Sequence, residues 1–268
     1  VRFKRLIKRI KLKFLQKNKM IFLLSKEESQ EYELRRPLKI LNHSQATLYP
    51  ISKINNKLVG GIQLQDKSFC NLSKITRVAP ISSKLVFNDW YSDLNLSIAD
   101  KTKKKYIDED VIFIGPIPDH YGHFITEGLS RLWPLLSLEN QDKRLVYISE
   151  NEINFSDFFI LFGIDQSRIK RITEPTTFKS IMVSEPSIRL HDYYHQFYGE
   201  TVKKILSNVP RGKENQIFLS KNENKRNGKS IGENNIMNIF KKNGYEIVYP
   251  ELLSVKDFLS KVYSAKRV

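Results

Sequence analysis

One cysteine, Cys70, in 268 residues leaves nothing from which to build a disulfide framework or a four-cysteine zinc site, and it points to a reducing compartment. Apolar runs all fall well short of the roughly 20 residues that span a bilayer, so no transmembrane helix is expected. With 10 prolines and 11 glycines, a fibrous or collagen-like chain has no composition to rest on. Internal repeats are also lacking. What the chain does have is 40% hydrophobic, 28% charged and 11% aromatic residues, the make-up of a soluble globular protein. Its length fits one large domain or two ordinary ones.

The net charge of +16 is unevenly placed. Residues 1–20 carry nine Lys or Arg and no acid, residues 201–268 carry 14 basic and six acidic side chains, and residues 21–200 are near neutral with 22 basic and 23 acidic. A nucleic-acid sheath would spread its charge over one face of the body, so no nucleic-acid partner is expected. In residues 1–20, Phe3, Leu6, Ile7, Ile10 and Phe14 recur at spacings of three and four, with Lys and Arg between them. That is a basic amphipathic helix, suited either to an anionic membrane surface or to packing on its own domain. It lacks the apolar centre and the small-residue cleavage site of a signal peptide.

Residues 21–110 read as short strands and loops, with turn signals at Asn55-Asn56 and Gly60-Gly61. Asp108, Glu109 and Asp110 read as a solvated turn ahead of a strand at 111–115. That strand passes through a Pro-rich loop to Asp119, a plausible N-cap, and into a helix over about 121–138, whose last turns Pro134 should tighten. Strands at 144–150 and 180–186, helices at 155–164 (stopped by Gly163) and 191–210, then complete an α/β pattern with largely parallel strands. From 216 a second unit begins: strand, basic loop, helix ending at Gly244, strand, helix. A further strand would be expected where the chain reaches Lys266-Arg267-Val268, and two strands cannot bury both faces of a sheet, so this unit reads as incomplete. The domain reading is therefore a basic helix at 1–20, an α/β domain at 21–210 and the start of a nucleotide-binding-type domain at 211–268.

Two clusters carry chemistry. On the 121–138 helix, His123, Glu127 and Arg131 stand four apart and share one stripe, with His120 one turn before His123. A histidine near a helix start, with a carboxylate one turn on, can hold one tautomer and take a proton from a hydroxyl. The same spacing equally describes a surface ion ladder from Glu127 to Arg131 beside a core histidine. The spacing of His120, His123 and Glu127 matches no standard zinc motif, so no metal site is expected. In the second unit, Lys221, Lys225, Arg226 and Lys229 crowd the loop between strand and helix, with Gly228 and Gly232 permitting close backbone approach. With the helix N-terminus behind them they suit a diphosphate, although a plain solvated loop has the same composition. The loop does not have Walker spacing.

HYGHFITEGLSRLWPLL resembles the Gly-His-Phe, Glu, Arg-Leu-Trp helix of glycosyltransferase family 61, in particular its bacterial capsular and lipopolysaccharide branch. IFLSKNENKRNGKSIGENNIMNIFKKNGYEIVYPELLSVKDF resembles the strand, Ser-Arg loop, Asn-Glu helix and Gly-Tyr-Glu-Ile-Val-Pro-Glu strand of the same family, in the same order. The resemblance covers about residues 105–268. It implies a GT-B-like fold of two Rossmann-like domains, the second incomplete here, because the family's glycine-rich loop with its His and Asn would follow Val268. It also implies inverting transfer from a nucleotide-sugar to a growing capsular or other cell-surface polysaccharide, or to a lipid-linked glycan.

By that resemblance Gly122, His123, Glu127 and Arg131 belong to the acceptor-side cleft, while Lys221, Arg226 and Glu233 belong to the donor diphosphate; His120 joins the first group and Lys229 the second by their place in the two clusters. His123, oriented by Glu127, would be the base. Lys221 stands where the family usually has Arg, and Gly232 where Asn commonly precedes the glutamate. No cofactor or metal is expected, the basic loop supplying the positive charge. The single cysteine fits a cytoplasmic location, on the inner face of the plasma membrane if residues 1–20 dock there. The other function class is an inactive, truncated glycosyltransferase acting as a binding module at the membrane surface.

Overall fold

A computed structural model describes residues 33–54, 56–81, 84–89, 92–93, 99, 101–117, 120–152, 155–189, 192–220 and 232–268. The amphipathic segment 1–20, Asp119 and the basic loop with Lys221, Lys225, Arg226 and Lys229 lie outside them.

Strands β1 (Ile40–Ser44), β2 (Thr47–Ile54), β3 (Lys57–Gln63), β6 (Ser92–Asp93), β7 (Lys105–Pro116), β8 (Arg144–Ile148), β9 (Ile169–Arg171) and β10 (Thr176–Ser184) make one mixed sheet. Its order is β6-β3-β2-β10-β7-β8-β9, and β1 also pairs with β10. β10, β7, β8 and β9 run parallel. β1 and β2 run antiparallel along the outer edge of β10, the backbone breaking step at Gln45, where φ is +48°. A separate hairpin joins β4 (Thr76–Ile81) to β5 (Lys84–Asp89). The protein is thus mixed α/β around a multi-strand mixed sheet.

The parallel strands obey a period of two. Ile112, Ile114, Leu145 and Tyr147 belong to a core under the helices, whereas Val111, Phe113, Val146 and Ile148 belong to a second core on the other face. Helices α1 (Ser156–Phe162) and α2 (Gln196–Ser207) cover the first face through Phe158, Phe159, Phe162 and Ile205. The second face carries no α-helix among the described residues, and a 3-10 turn at Asn71–Ser73 lies against it through Leu72. β2 and β3 fold over it, and Ala46, Leu48, Ile51 and Ile62 fill the gap. Burying a Leu or Ile fully contributes about 1.5–3 kcal/mol. Gly163 closes α1 in the left-handed region at φ +93°, as its place after an apolar run predicts.

Three expectations need correction. Asp108, Glu109 and Asp110 are not a turn: β7 starts at Lys105 and carries them in its first half. Glu109 meets Arg144 at 2.6 Å, and Asp110 accepts from Ser180 Oγ at 2.6 Å, so neighbouring strands supply the partners that water would supply in a turn. The helix expected at 191–210 is shorter, because Tyr193–Tyr194 form β12 against β11 (Ile188–Arg189) and His195 caps α2 by accepting from Phe197 N–H. The helix expected at 121–138 is a chain of unlike turns, described below.

In the second unit, β13 (Ile217–Leu219) and β14 (Glu246–Val248) pair in parallel, with α3 (Glu233–Lys242) between them in sequence and α4 (Val255–Ser264) after them. Ser254 caps α4, its Oγ accepting from Asp257 N–H at 3.1 Å. On the other side of β13, Ile217 N–H donates to Arg267 and Lys266 N–H to Asn215, so a third parallel position opens at Arg267. Val255 and Leu259 of α4 pack against the first core.

Candidate functional site

From β7 the chain first enters β8 and β9 on one side and then returns to β10 on the other, so the strand order reverses between β7 and β10. Open α/β sheets bind ligands at the carboxyl ends of such a reversal. The segment that follows β7 lies there. It begins with an α turn (Tyr121–His123), widens into a π turn (Phe124–Gly128), and tightens into 3-10 turns at Leu129–Arg131 and Trp133–Leu136, the latter opening on Pro134. The π turn is closed by Leu129 N–H reaching back five residues to Phe124 O.

His120 precedes the first turn with an exposed side chain, and its ring lies 5.0 Å from that of half-buried His123. Gly122 sits against His120, since a Cβ built on it would stand 3.4 Å from the imidazole Cε1. Glu127 is half-buried and lines a recess with Asn71, Lys74, Arg131 and Arg189.

Arg131 is not the end of a surface ladder. Only 2% of it is exposed. Nη1 donates to the Ser184 carbonyl at the end of β10 at 2.6 Å, and Nη2 to the Lys74 carbonyl at 2.9 Å. Its stem passes so close to the end of β7 that a Cβ on Gly115 would lie 2.7 Å from Arg131 Cδ. Gly115 itself has φ +105°, which only glycine adopts readily. Arg131 therefore threads the gap between the two strand ends. Uniform four-residue steps would place it outside, but the π and 3-10 turns change the rotation per residue and turn it inward.

A supporting layer surrounds this gap. The Glu185 carboxylate, after β10, takes two bonds from Arg36 at 2.8 and 2.6 Å and one from Lys39 N–H at 3.1 Å. Burial pushes its pKa up, but these donors outweigh burial and hold it below the ordinary value. The same bond raises the pKa of Arg36. Trp133 Nε1 donates to the Glu185 carbonyl at 2.9 Å, and Ser187 bonds the Ser130 carbonyl through both N–H and Oγ. Behind the π turn, Tyr198 of α2 donates its hydroxyl to the Ile125 carbonyl at 3.2 Å. Sequence reading found none of these partners. Arg36 and Glu185 lie 149 residues apart, and the only local hint was an acid directly following an apolar strand.

On the donor side only Glu233 falls within the described residues. It is the first residue of α3, buried, and its Oε1 accepts from Ser220 Oγ at 2.8 Å. Ser220 directly follows β13, and its N–H donates to Val248 O. Glu233 thus ties the strand that precedes the basic loop to the helix that follows it. Among the described residues no group of three or more His, Cys, Asp or Glu side chains is placed to hold a metal ion, and no helix is long and apolar enough to cross a membrane.

Compared with known proteins, residues 121–268 match the model of a family described as Glycosyltransferase 61. No curated protein matches the chain.

Proposed function

Because the chain belongs to the glycosyltransferase 61 family, which suggests glycosyltransferase activity, we propose that it moves a sugar with inversion from a nucleotide-sugar to a growing capsular or other cell-surface glycan. The observation that carries this reading to particular residues is that Glu127, one turn after His123, and Arg131, two turns after it, line one recess beside the carboxyl end of β10. In the proposed reaction His123 takes the proton of an acceptor hydroxyl, the acceptor oxygen bonds the anomeric carbon, and the bond from that carbon to the diphosphate breaks. Glu127 holds the imidazole in the accepting tautomer. Lys221, Arg226 and Lys229 receive the charge of the departing diphosphate, and Glu233 anchors the loop that bears them.

A GT-B arrangement belongs to the same proposal. Its support is that each unit has parallel strands, β7 to β10 in one and β13, β14 and the Arg267 position in the other. So does a peripheral place on the cytoplasmic face of a membrane through residues 1–20; sedimentation with anionic liposomes should disappear when those residues are deleted, and persistence would overturn it.

The central test has two parts. Thermal shifts of the chain against nucleotide diphosphates and nucleotide-sugars should show stabilisation by one nucleotide. With that donor, His123→Ala should lower turnover by about 10²-fold or more. Unchanged turnover would remove His123 from the base role.

A further inference from the structure

The π turn Phe124–Gly128, which begins directly after His123 and contains Glu127, interrupts an otherwise helical stretch at the point where the proposed base and its orienting carboxylate must be brought into relation. Such turns need outside support, because widening the ring displaces carbonyls from the regular ladder. Here the support is visible. Tyr198 O–H donates to the Ile125 carbonyl, within the turn, at 3.2 Å. From the turn itself, Thr126 Oγ1 donates to Gly122 O at 3.1 Å and lies 3.4 Å from His123 O. Phe124 is fully buried and stacks on Phe155 with ring centroids 4.4 Å apart.

The Phe124 stack packs the turn against the start of α1, and of the hydrogen bonds just named the one from Tyr198 comes from a distant element. Tyr198 lies 73 residues away in sequence, on α2, whose own start is fixed by the His195 cap and by His195 N–H donating to Ser187 O at 2.8 Å. We propose that Tyr198 is a positioning residue: its hydroxyl holds the π turn open and so sets where His123 stands relative to Glu127. Burial pushes the hydroxyl's pKa up to about 12, which keeps it a donor throughout the physiological range. That His123 and Glu127 act in glycosyl transfer is taken from the reading above.

The test is Tyr198→Phe, which keeps the ring among its apolar neighbours and removes only the donor. Tyr49→Phe is the control, a hydroxyl bonded to Gln63 Oε1 and Ala99 O in a separate small cluster with Val59. Histidine-labelled protein is titrated by NMR, and turnover is measured with whichever nucleotide-sugar stabilises the chain. In Tyr198→Phe the His123 resonance and its titration midpoint should move, while that of His43 stays. The kcat should fall about tenfold with little change in KM, as a misplaced base requires. Tyr49→Phe should change neither. A His123 signal in Tyr198→Phe that overlays the wild type would overturn the proposal, as would a moved signal with unchanged kcat. If the wild type turns over no nucleotide-sugar, the glycosyl-transfer reading fails on its own, and the NMR arm alone decides whether Tyr198 positions His123.

Discussion

At Gly115 a methyl group has nowhere to go. It would need a left-handed backbone and would sit 2.7 Å from the stem of Arg131, a side chain fixed at its far end by two carbonyls. Gly115→Ala should therefore cost about 1–3 kcal/mol in chemical denaturation. A loss under 0.5 kcal/mol would mean that Arg131 is free to shift. A second residue-scale expectation concerns Glu185, whose lowered pKa makes it a source of stability above the ordinary glutamate value of about 4.3, lost as pH falls through its folded value. Arg36→Gln should cost about 1–2 kcal/mol at pH 7. This is below the figure for a fully buried pair, because the Arg36 side chain is 46% exposed. The gap between the two proteins should narrow on acidification. If it stayed constant from pH 7 down to pH 3, the ion pair would not be its cause.

Elements whose cause is local were legible beforehand. An unbroken apolar run marks β8, and Gly163 marks the end of α1, because chain stiffness and left-handed freedom are properties of neighbouring residues. Elements whose cause lies across the fold were not. Asp108–Asp110 look solvated until Arg144 and Ser180 stand beside them. Arg131 looks exposed until carbonyls 53 and 57 residues away are seen to receive it. The π turn has no signature in its own five residues. His120, His123 and Glu127 can be grouped from helical spacing alone, whereas Arg36, Glu185 and Tyr198 act through contacts that spacing cannot reveal. Glu233 gives the element-scale prediction. Glu233→Gln still offers Ser220 an acceptor oxygen and should cost less than about 0.5 kcal/mol, while Glu233→Ala replaces that oxygen by nothing, leaves the buried hydroxyl with the weak acceptor Met237 Sδ at 3.1 Å, and should cost about 1–3 kcal/mol. Equal losses in thermal unfolding would remove the hydrogen bond from the account.

In the molecule as a whole, the two faces of the parallel strands are closed by different means, α-helices on one and the β2–β3 ribbon with the short Asn71–Ser73 turn on the other. The ribbon side should be the less forgiving of truncation, since few elements share the load. Leu48→Ala, at a fully buried position, should cost about 2–5 kcal/mol. A cost near 1 kcal/mol would show that the ribbon relaxes into the gap.

Because β1 runs antiparallel to β10, the chain leading into it, from Glu33 to Lys39, lies at the carboxyl ends of the strands, fastened there by Arg36 to Glu185 and by Leu34 N–H to Tyr194 O. Whatever precedes residue 33 therefore departs from the same pole of the molecule as the recess of Glu127 and Arg131. A tether acting through that segment would turn this pole, and not the opposite one, toward its attachment. An acceptor held at the same surface would then be met by the strand ends directly, with no need for the body to reorient.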